Sequence, residues 1–454
     1  MNSHALGRPI PDSIHAVSMS LPRWADVVGY EEKTPAVMSR ITNGYPRFVI
    51  HPLVQQMAKQ LGRLPFPSAR VTEMAADFAR RSGVAESDEL KNFWQHTGLI
   101  VSSRQAEAFL AGRKVADAPE VFQSLRHQLA GFYGCGADDV FLQPTGMAAQ
   151  FAALRAVLAR APGKPTAQLG FPYVDTLKLQ QKFGHGAHLL HNIATIETEL
   201  HDLIHRQSLA ACFGEIPGNP LLGSADLTRI TPLLREHGVP LVADDVVATP
   251  INVDLSGHAA LIATSLTKFV AGTGDVMGGA LICNPRSPFY HELLPAVRAQ
   301  HEELLWSEDA VILETNARGF PERMRRHNAN GLLIAERLRK HPAVEKVWYP
   351  KWEFAAAYEA VRGPTGGWGA LITFLPRNAK TTSPRIYDRL EFCKGPSLGT
   401  VFTLACPFTL LAHYTELDWA EACGVSRYLI RISVGLEDPE DLWQRLDSAL
   451  RLAP

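Results

Sequence analysis

Apolar and polar positions along this chain follow two different periods. VFQSLRHQLAGFYG repeats its apolar residues at spacings of three and four, which predicts an amphipathic helix. Short apolar runs bounded by turn formers then alternate with helical stretches. DVFLQ is followed by GMAAQFAALRAVLARA, PTAQLGF by VDTLKLQQKFG, AACFGEI by ADLTRITPLLREHG, and PLVADD by AALIATS. Such alternation predicts an α/β fold whose mostly parallel sheet is covered by helices on both faces. Residues 1–65 are rich in proline and turn formers and predict an arm with a short helix at LVQQMAKQLG. Gly83 to Gly112 is charged and helix-prone, and from about Pro321 the pattern changes to a long helix, PERMRRHNANGLLIAERLRKH. A strand-rich, helix-mixed part follows and ends in the amphipathic DPEDLWQRLDSALRLA. These shifts divide the chain into an arm (1–65), an α/β domain (66–320) and a smaller α+β domain (321–454), without internal repeats.

Composition narrows the class. The 454 residues suffice for two or three domains with a sizeable core. Lys plus Arg number 45 against 46 Asp plus Glu, a balance that argues against nucleic acid and makes a small molecule the expected partner. With 46% apolar and 20% charged residues, the chain is expected to be folded and soluble. Six cysteines without a CxxC pair suggest neither a zinc site nor a disulfide framework, so a reducing cytoplasm is expected. The N-terminus lacks the basic start and apolar run of a signal peptide, so export is not expected. The longest stretch without charged residues, Gly395 to Thr415, is broken by Pro396, Gly399 and Pro407 and does not read as a membrane span.

In open α/β sheets ligands gather at the carboxyl ends of strands, so polar residues that end apolar runs are the candidates. Thr145-Gly146-Met147 opens a helix whose free N–H groups suit a phosphate, or Thr145 is a helix cap alone. Asp244-Asp245 directly follows PLVA; without a histidine at ligand spacing nearby, a metal is the weakest of its readings. Lys268 ends a charge-free run and precedes a loop of four glycines that fits neither nucleotide-binding fingerprint. An apolar setting disfavours its ammonium form and makes it a candidate Schiff-base amine, or it snorkels to the surface. Arg431 interrupts the apolar YLIRISV and suits a carboxylate ligand or an internal ion pair. Together an amine nucleophile, a strand-end carboxylate, a phosphate-ready helix start and a carboxylate-ready arginine suggest an enzyme using pyridoxal phosphate on an amino acid.

These segments resemble the cystathionine gamma-synthase family of pyridoxal-phosphate enzymes, aspartate aminotransferase-like in fold, from about residue 40 to the end. TSLTKF resembles the S-x-T-K segment, which implies that Lys268 carries the cofactor and that Ser265 and Thr267 bind its phosphate. ADDVVATP resembles D-N-T-x-x-x-P, implying Asp244 as partner of the pyridine nitrogen with Asp245 in place of Asn. TGMAA resembles S-G-M-A-A and assigns the N–H groups of Gly146 and Met147 to the phosphate. GEIPGNP resembles E-x-P-x-N-P and puts Asn219 beside cofactor and substrate. RISVGLED and PSLGT resemble the segments that bring Arg431 and Ser397 to the substrate α-carboxylate. GYPRF resembles the Y-x-R segment of an arm that enters a neighbouring subunit, so Tyr45 and Arg47 would complete a partner's site in a homodimer or homotetramer.

Two departures matter. GFPYVDTLK stands where the resemblance expects a Y-G-G-T-Y-like segment, which leaves open which of Phe171 and Tyr173 stacks on the cofactor; the preferred reading makes Tyr173 the acid/base residue and Phe171 the stacking ring. Pro396 stands where a Glu is frequent, which removes a carboxylate able to hold the second substrate's amino group. The wording of GYPRF and GFPYVDTLK resembles the fungal-type branch. The resemblance implies γ-substitution on an O-acylated homoserine by a thiol, cysteine giving cystathionine. Sulfide as nucleophile, elimination as in gamma- or beta-lyases, and a non-catalytic protein on the same fold are the rivals.

Overall fold

The computed structural model describes residues 5–82 and 86–451. The start of the helix expected from Gly83 lies outside the described residues, and the rest forms helices Glu86–Thr97 and Ser103–Leu110. A short hairpin, β1 (Pro9–Ile10) with β2 (Ser18–Met19), opens the chain. The central layer is a seven-stranded sheet of β3 (Val140–Gln143), β4 (Thr166–Leu169), β5 (Ala187–Leu190), β6 (Cys212–Glu215), β7 (Leu241–Asp244), β8 (Leu261–Ser265) and β9 (Gly279–Cys283). Its order is β3-β9-β8-β7-β6-β4-β5, and β9 alone runs antiparallel to its neighbours. Strands covered on both faces have no polar side to show, which is why the runs read as continuous apolar segments. On one face the helix Gly146–Arg160 sets Phe151, Leu154 and Val157 against Phe213, Leu261 and Leu281. On the other, the helices Ile196–Arg206 and Leu227–Glu236 bring Leu200, Ile230 and Leu234 into the larger core.

The 21-residue helix Phe320–Lys340 leads to a second sheet of β10 (Val344–Trp348), β11 (Leu371–Pro376), β12 (Cys393–Lys394), β13 (Leu404–Cys406) and β14 (Ile430–Ser433). Its order is β10-β11-β14-β13-β12, with β14 in the middle. Arg431 therefore sits on a strand paired on both sides, opposite Thr373 and Cys406. Among the described residues no helix is long and apolar enough to cross a membrane.

The arm folds back on its own chain. The Val17 N–H donates to the Gly274 carbonyl at 2.9 Å, and the Leu21 N–H to the Lys394 carbonyl at 2.9 Å. The Trp24 N–H at the start of helix Trp24–Glu31 donates to Asp388 Oδ1 at 2.7 Å, and the Tyr387 hydroxyl to the Leu21 carbonyl at 2.7 Å. The helices between the arm and the sheet join through aromatic contacts. Phe78 stacks on Phe183 with centroids 4.4 Å apart, and Phe93 meets Phe151 edge-on.

Candidate active site

The carboxyl ends of β6, β7 and β8 open into a cavity of about 410 Å³, closed from the other side by the arm and by β14. Each wall follows from local structure. Thr145 caps the helix Gly146–Arg160, its hydroxyl accepting from the Ala148 N–H at 3.1 Å and donating to the Gly98 carbonyl at 2.9 Å. The N–H groups of Gly146 and Met147 therefore begin the helix at the cavity edge, where the helix dipole favours an anion. A Cβ on Gly146 would stand 2.6 Å from the Ser265 Cβ, so only glycine lets this helix start meet the end of β8. Thr267 also lines the cavity, and its hydroxyl bridges to Gly278.

Lys268 follows β8 and is buried rather than snorkelling. Its Nζ donates to Ser397 Oγ at 3.0 Å and lies 4.7 Å from the centre of the Tyr45 ring. Burial lowers its pKa; Tyr45 opposes that shift, while the Arg431 and Arg47 charges add to it. The Tyr45 phenol moves down as well: burial resists, but the Lys268 and Arg47 charges prevail. Gly399 has φ of +75°, and a Cβ there would stand 2.7 Å from the Phe269 nitrogen; this approach brings the Ser397 segment onto Lys268.

Asp244 ends β7. Its Oδ2 accepts from Gln150 Nε2 at 2.9 Å and its Oδ1 from the Val246 N–H at 2.9 Å. Burial pushes its carboxyl up to about 6 despite these two donors. Asp245 points away to Tyr133, whose hydroxyl donates to Oδ2 at 2.9 Å, and burial pushes it up to about 7. Glu215 at the end of β6 accepts from the N–H groups of Tyr173 and Asn219, the latter at 3.1 Å, and burial carries it to about 8.

Arg431 is 3% exposed, and its contacts decide between the two readings of a buried arginine. Nη1 donates to Asn219 Oδ1 at 3.2 Å, and Nη2 to the Pro396 and Ser397 carbonyls at 2.8 and 3.1 Å. All three partners are neutral, and among the described residues no carboxylate pairs with it. A buried guanidinium without a counter-ion, facing a cavity, has the charge and fork geometry to receive a carboxylate.

Tyr45 and Arg47 line the cavity within the single chain described. Arg47 Nη1 donates to Asp175 Oδ2 at 2.6 Å and to the Gln95 carbonyl at 2.7 Å, and Nη2 donates to the Tyr173 hydroxyl. His96 Nδ1 stands 3.0 Å from Asp175 Oδ1, and the Trp94 indole donates to the Pro46 carbonyl at 3.1 Å. The helix Glu86–Thr97 thereby fixes the arm over its own site. Burial would raise the Asp175 carboxyl, but Arg47 and His96 hold it at about 2.

Phe171 does not reach the cavity. It follows Gly170, whose φ of +76° turns the chain, and its ring packs on Trp419 at 5.2 Å and His413 at 4.9 Å beside a second cavity. Tyr173 does line the first cavity. The sequence reading missed Gln150, Asp175 and His96, because each acts through a partner distant in sequence: Arg47 and Asp175 are 128 positions apart.

The donor set fits pyridoxal phosphate: a buried amine, a strand-end carboxylate and a glycine-initiated helix converge on one cavity. The family described as Cys/Met metabolism PLP-dependent enzyme matches residues 99–451. A cystathionine gamma-synthase of Neurospora crassa is 32% identical, with 99% of this chain and 98% of that protein covered. An L-2-amino-4-chloropent-4-enoate dechlorinase/desaturase of Streptantibioticus cattleyicolor is 33% identical, with 96% of each covered. Among solved structures, cystathionine gamma synthase from Xanthomonas oryzae pv. oryzae, in complex with aminoacrylate and cysteine, is similar at 28% identity. Its TM-score is 0.64, over 74% of this chain and 86% of that one.

Proposed function

The chain belongs to the pyridoxal-phosphate-dependent enzymes of Cys/Met metabolism, and from that premise we propose that it catalyses γ-substitution on an O-acyl-L-homoserine by a thiol. Cysteine as the thiol gives cystathionine. The observation that carries this reading is Arg431, a buried cation without a carboxylate partner, opening on the cavity that also holds Lys268 and Asp244.

Lys268 holds the cofactor, the N–H groups of Gly146 and Met147 with the Ser265 and Thr267 hydroxyls hold its phosphate, and Asp244 holds its pyridine nitrogen protonated. Pyridoxal phosphate, when bound, draws negative charge from the reacting carbons into its ring. Arg431 takes the substrate α-carboxylate and fixes which bond at the α-carbon reacts; Ser397 braces both Arg431, through its carbonyl, and Lys268, through its hydroxyl. Lys268, with its amine depressed by burial, removes the α-proton and then a β-proton. Tyr45, whose ring centre lies 4.7 Å from the Lys268 Nζ, shares those protons, and Tyr173 lines the same cavity. The γ-carbon–oxygen bond breaks and the acyl group leaves as a carboxylate; the thiol sulfur bonds to the γ-carbon and gives up its own proton, and the protons taken from the β- and α-carbons return to them before the product leaves. Each chain supplies its own arm to this site.

Product analysis by mass spectrometry tests the proposal. O-acetyl- and O-succinylhomoserine are each incubated with the holoenzyme, with and without cysteine. Cystathionine formed only with cysteine is the expected result, and the preferred ester names the substrate. Release of 2-oxobutyrate and ammonia irrespective of cysteine would overturn substitution in favour of elimination.

A further inference from the structure

The cavity's charged side chains are nearly all committed. Arg47 pairs with Asp175, and Lys178 stands 3.6 Å from Glu416. Glu215 and Asp244 accept from neighbouring N–H groups, and Lys268 and Arg431 have the roles proposed above. Two are left, Glu31 and Lys33, both lining the cavity from the end of the helix Trp24–Glu31 and the turn after it. Neither side chain makes a hydrogen bond or an ion pair among the described residues. Lys33 instead hovers 4.2 Å above the Tyr30 ring.

Their placement is built. Lys33 has φ of +57°, a left-handed conformation that a non-glycine side chain rarely adopts. The turn is held by the Tyr414 hydroxyl, which donates to Glu32 Oε1 at 2.7 Å and ties the arm to a residue that itself lines the cavity. Opposite charges two residues apart, both unpaired and directed at one cavity, match the ammonium and carboxylate of an α-amino acid. That cavity already has Arg431 for one α-carboxylate, so the second pair addresses a second molecule. Pro396 leaves the position where a Glu is frequent in this family without a charge, so the ammonium of a second substrate finds no carboxylate there.

We propose that Glu31 and Lys33 form the subsite for the attacking thiol and select a thiol that is itself an α-amino acid, Glu31 binding its ammonium and Lys33 its carboxylate. The inference rests on the substitution reading and names its second substrate class. It also accounts for the state of Glu31: burial without a full counter-ion carries its carboxyl to about 7, although Lys33 pulls it down, and an arriving ammonium supplies the missing charge.

A thiol panel tests it on the holoenzyme with saturating ester: cysteine, cysteamine, which lacks the carboxylate, and 3-mercaptopropionate, which lacks the amine. Glu31→Gln is expected to lower the ratio of kcat/KM for cysteine to that for 3-mercaptopropionate by about tenfold, the order of one charged hydrogen bond. Lys33→Met is expected to lower the ratio for cysteine over cysteamine by a similar factor, with the cofactor's visible band unchanged in both variants. Unchanged ratios in the variants, while the wild type still makes thioethers, would overturn the subsite alone. No thioether from any thiol with the wild type would overturn the substitution reading and the subsite with it.

Discussion

The cavity has two halves held in place by different means. Asp244, Ser265 and Arg431 project from strands paired along both edges, so each position is fixed by ladders of backbone bonds that no side-chain substitution removes. Tyr45, Arg47 and Glu31 come from an arm outside the two large sheets, where Val27, Tyr30 and Val37 pack on the core and long-range polar contacts hold the segments next to the cavity. Those contacts include the Trp94 indole on Pro46, Arg47 on Asp175 and the Gln95 carbonyl, and Tyr414 on Glu32. The same chemistry mounted on strands is insensitive to its surroundings, whereas mounted on the arm it depends on a few polar groups. Changes at strand ends should therefore abolish chemistry with little effect on folding. Changes beneath the arm should disturb stability and cofactor retention together.

The largest effect is expected from Lys268→Ala. Removing the amine takes away both the cofactor's attachment and the proton-transfer group, so kcat should fall about a thousandfold or more and the visible band of the lysine-bound cofactor should vanish. Among the described residues its side-chain hydrogen bonds to the fold are those to Ser397 and Tyr45, so the thermal midpoint of the apoprotein should move little. A large loss of stability would mean that the strand-end half is not independent of its side chains.

Asp175→Asn addresses the other half. Arg47 would stay charged and buried with its carboxylate gone, and breaking one side of a buried pair typically costs about 3–5 kcal/mol. Denaturant unfolding measures this, and cofactor dissociation should quicken in parallel because Arg47 also positions Tyr173. The acid limb gives an independent reading. The Asp175 carboxyl lies near 2 in the folded chain against an ordinary value of 3.8, so its contribution is present in full above about pH 4. It fades as the pH falls toward 2, and a shift of that size is worth about 2 kcal/mol. The wild type should lose this increment on acidification and the variant should not; parallel acid limbs would remove Asp175 from the arm's support.

Arg431→Ala is expected to raise the KM for the ester about a hundredfold, the equivalent of truncating one partner of a buried charged contact, while the cofactor band persists. An unchanged KM would take the α-carboxylate away from this residue.

The two halves also differed in how far the sequence revealed them. A polar residue that ends an apolar run marks a strand's carboxyl end, so PLVADD and TSLTK disclosed Asp244 and Lys268 together with the parallel sheet, while Arg431 stood out as a charge inside the apolar YLIRIS. β5 escaped because AHLL is a half-exposed edge strand between histidines, and β9 because GGALIC merges with the glycine loop before it. Phe171 and Tyr173 lie two positions apart in one irregular segment, and no spacing tells which ring faces the cavity; the turn at Gly170 and the pocket formed by Trp419 and His413 decide it. The route of the arm was hidden for a comparable reason. It depends on Trp94, Gln95 and Asp175 meeting residues 46 and 47, and polar contacts across 48 and 128 positions leave no periodic trace.

The smallest expected effect is a null result, and it bears on the arm directly. Arg47→Ala and Lys268→Ala chains are each defective, and co-expression with two different tags isolates any mixed assemblies. If arms crossed between subunits, some sites in a mixed assembly would combine an intact Lys268 with an intact Arg47, and those sites would regain the cofactor band and wild-type cofactor affinity. In the arrangement described here, each site takes Arg47 and Lys268 from one chain, because Arg47 is buried against Asp175 and the Gln95 carbonyl of that same chain. Every site then carries one defect or the other, and mixing recovers nothing beyond the average of the two variants. Recovery of cofactor affinity in the mixture would show that the arm crosses, and it would return Tyr45 and Arg47 to the partner's site.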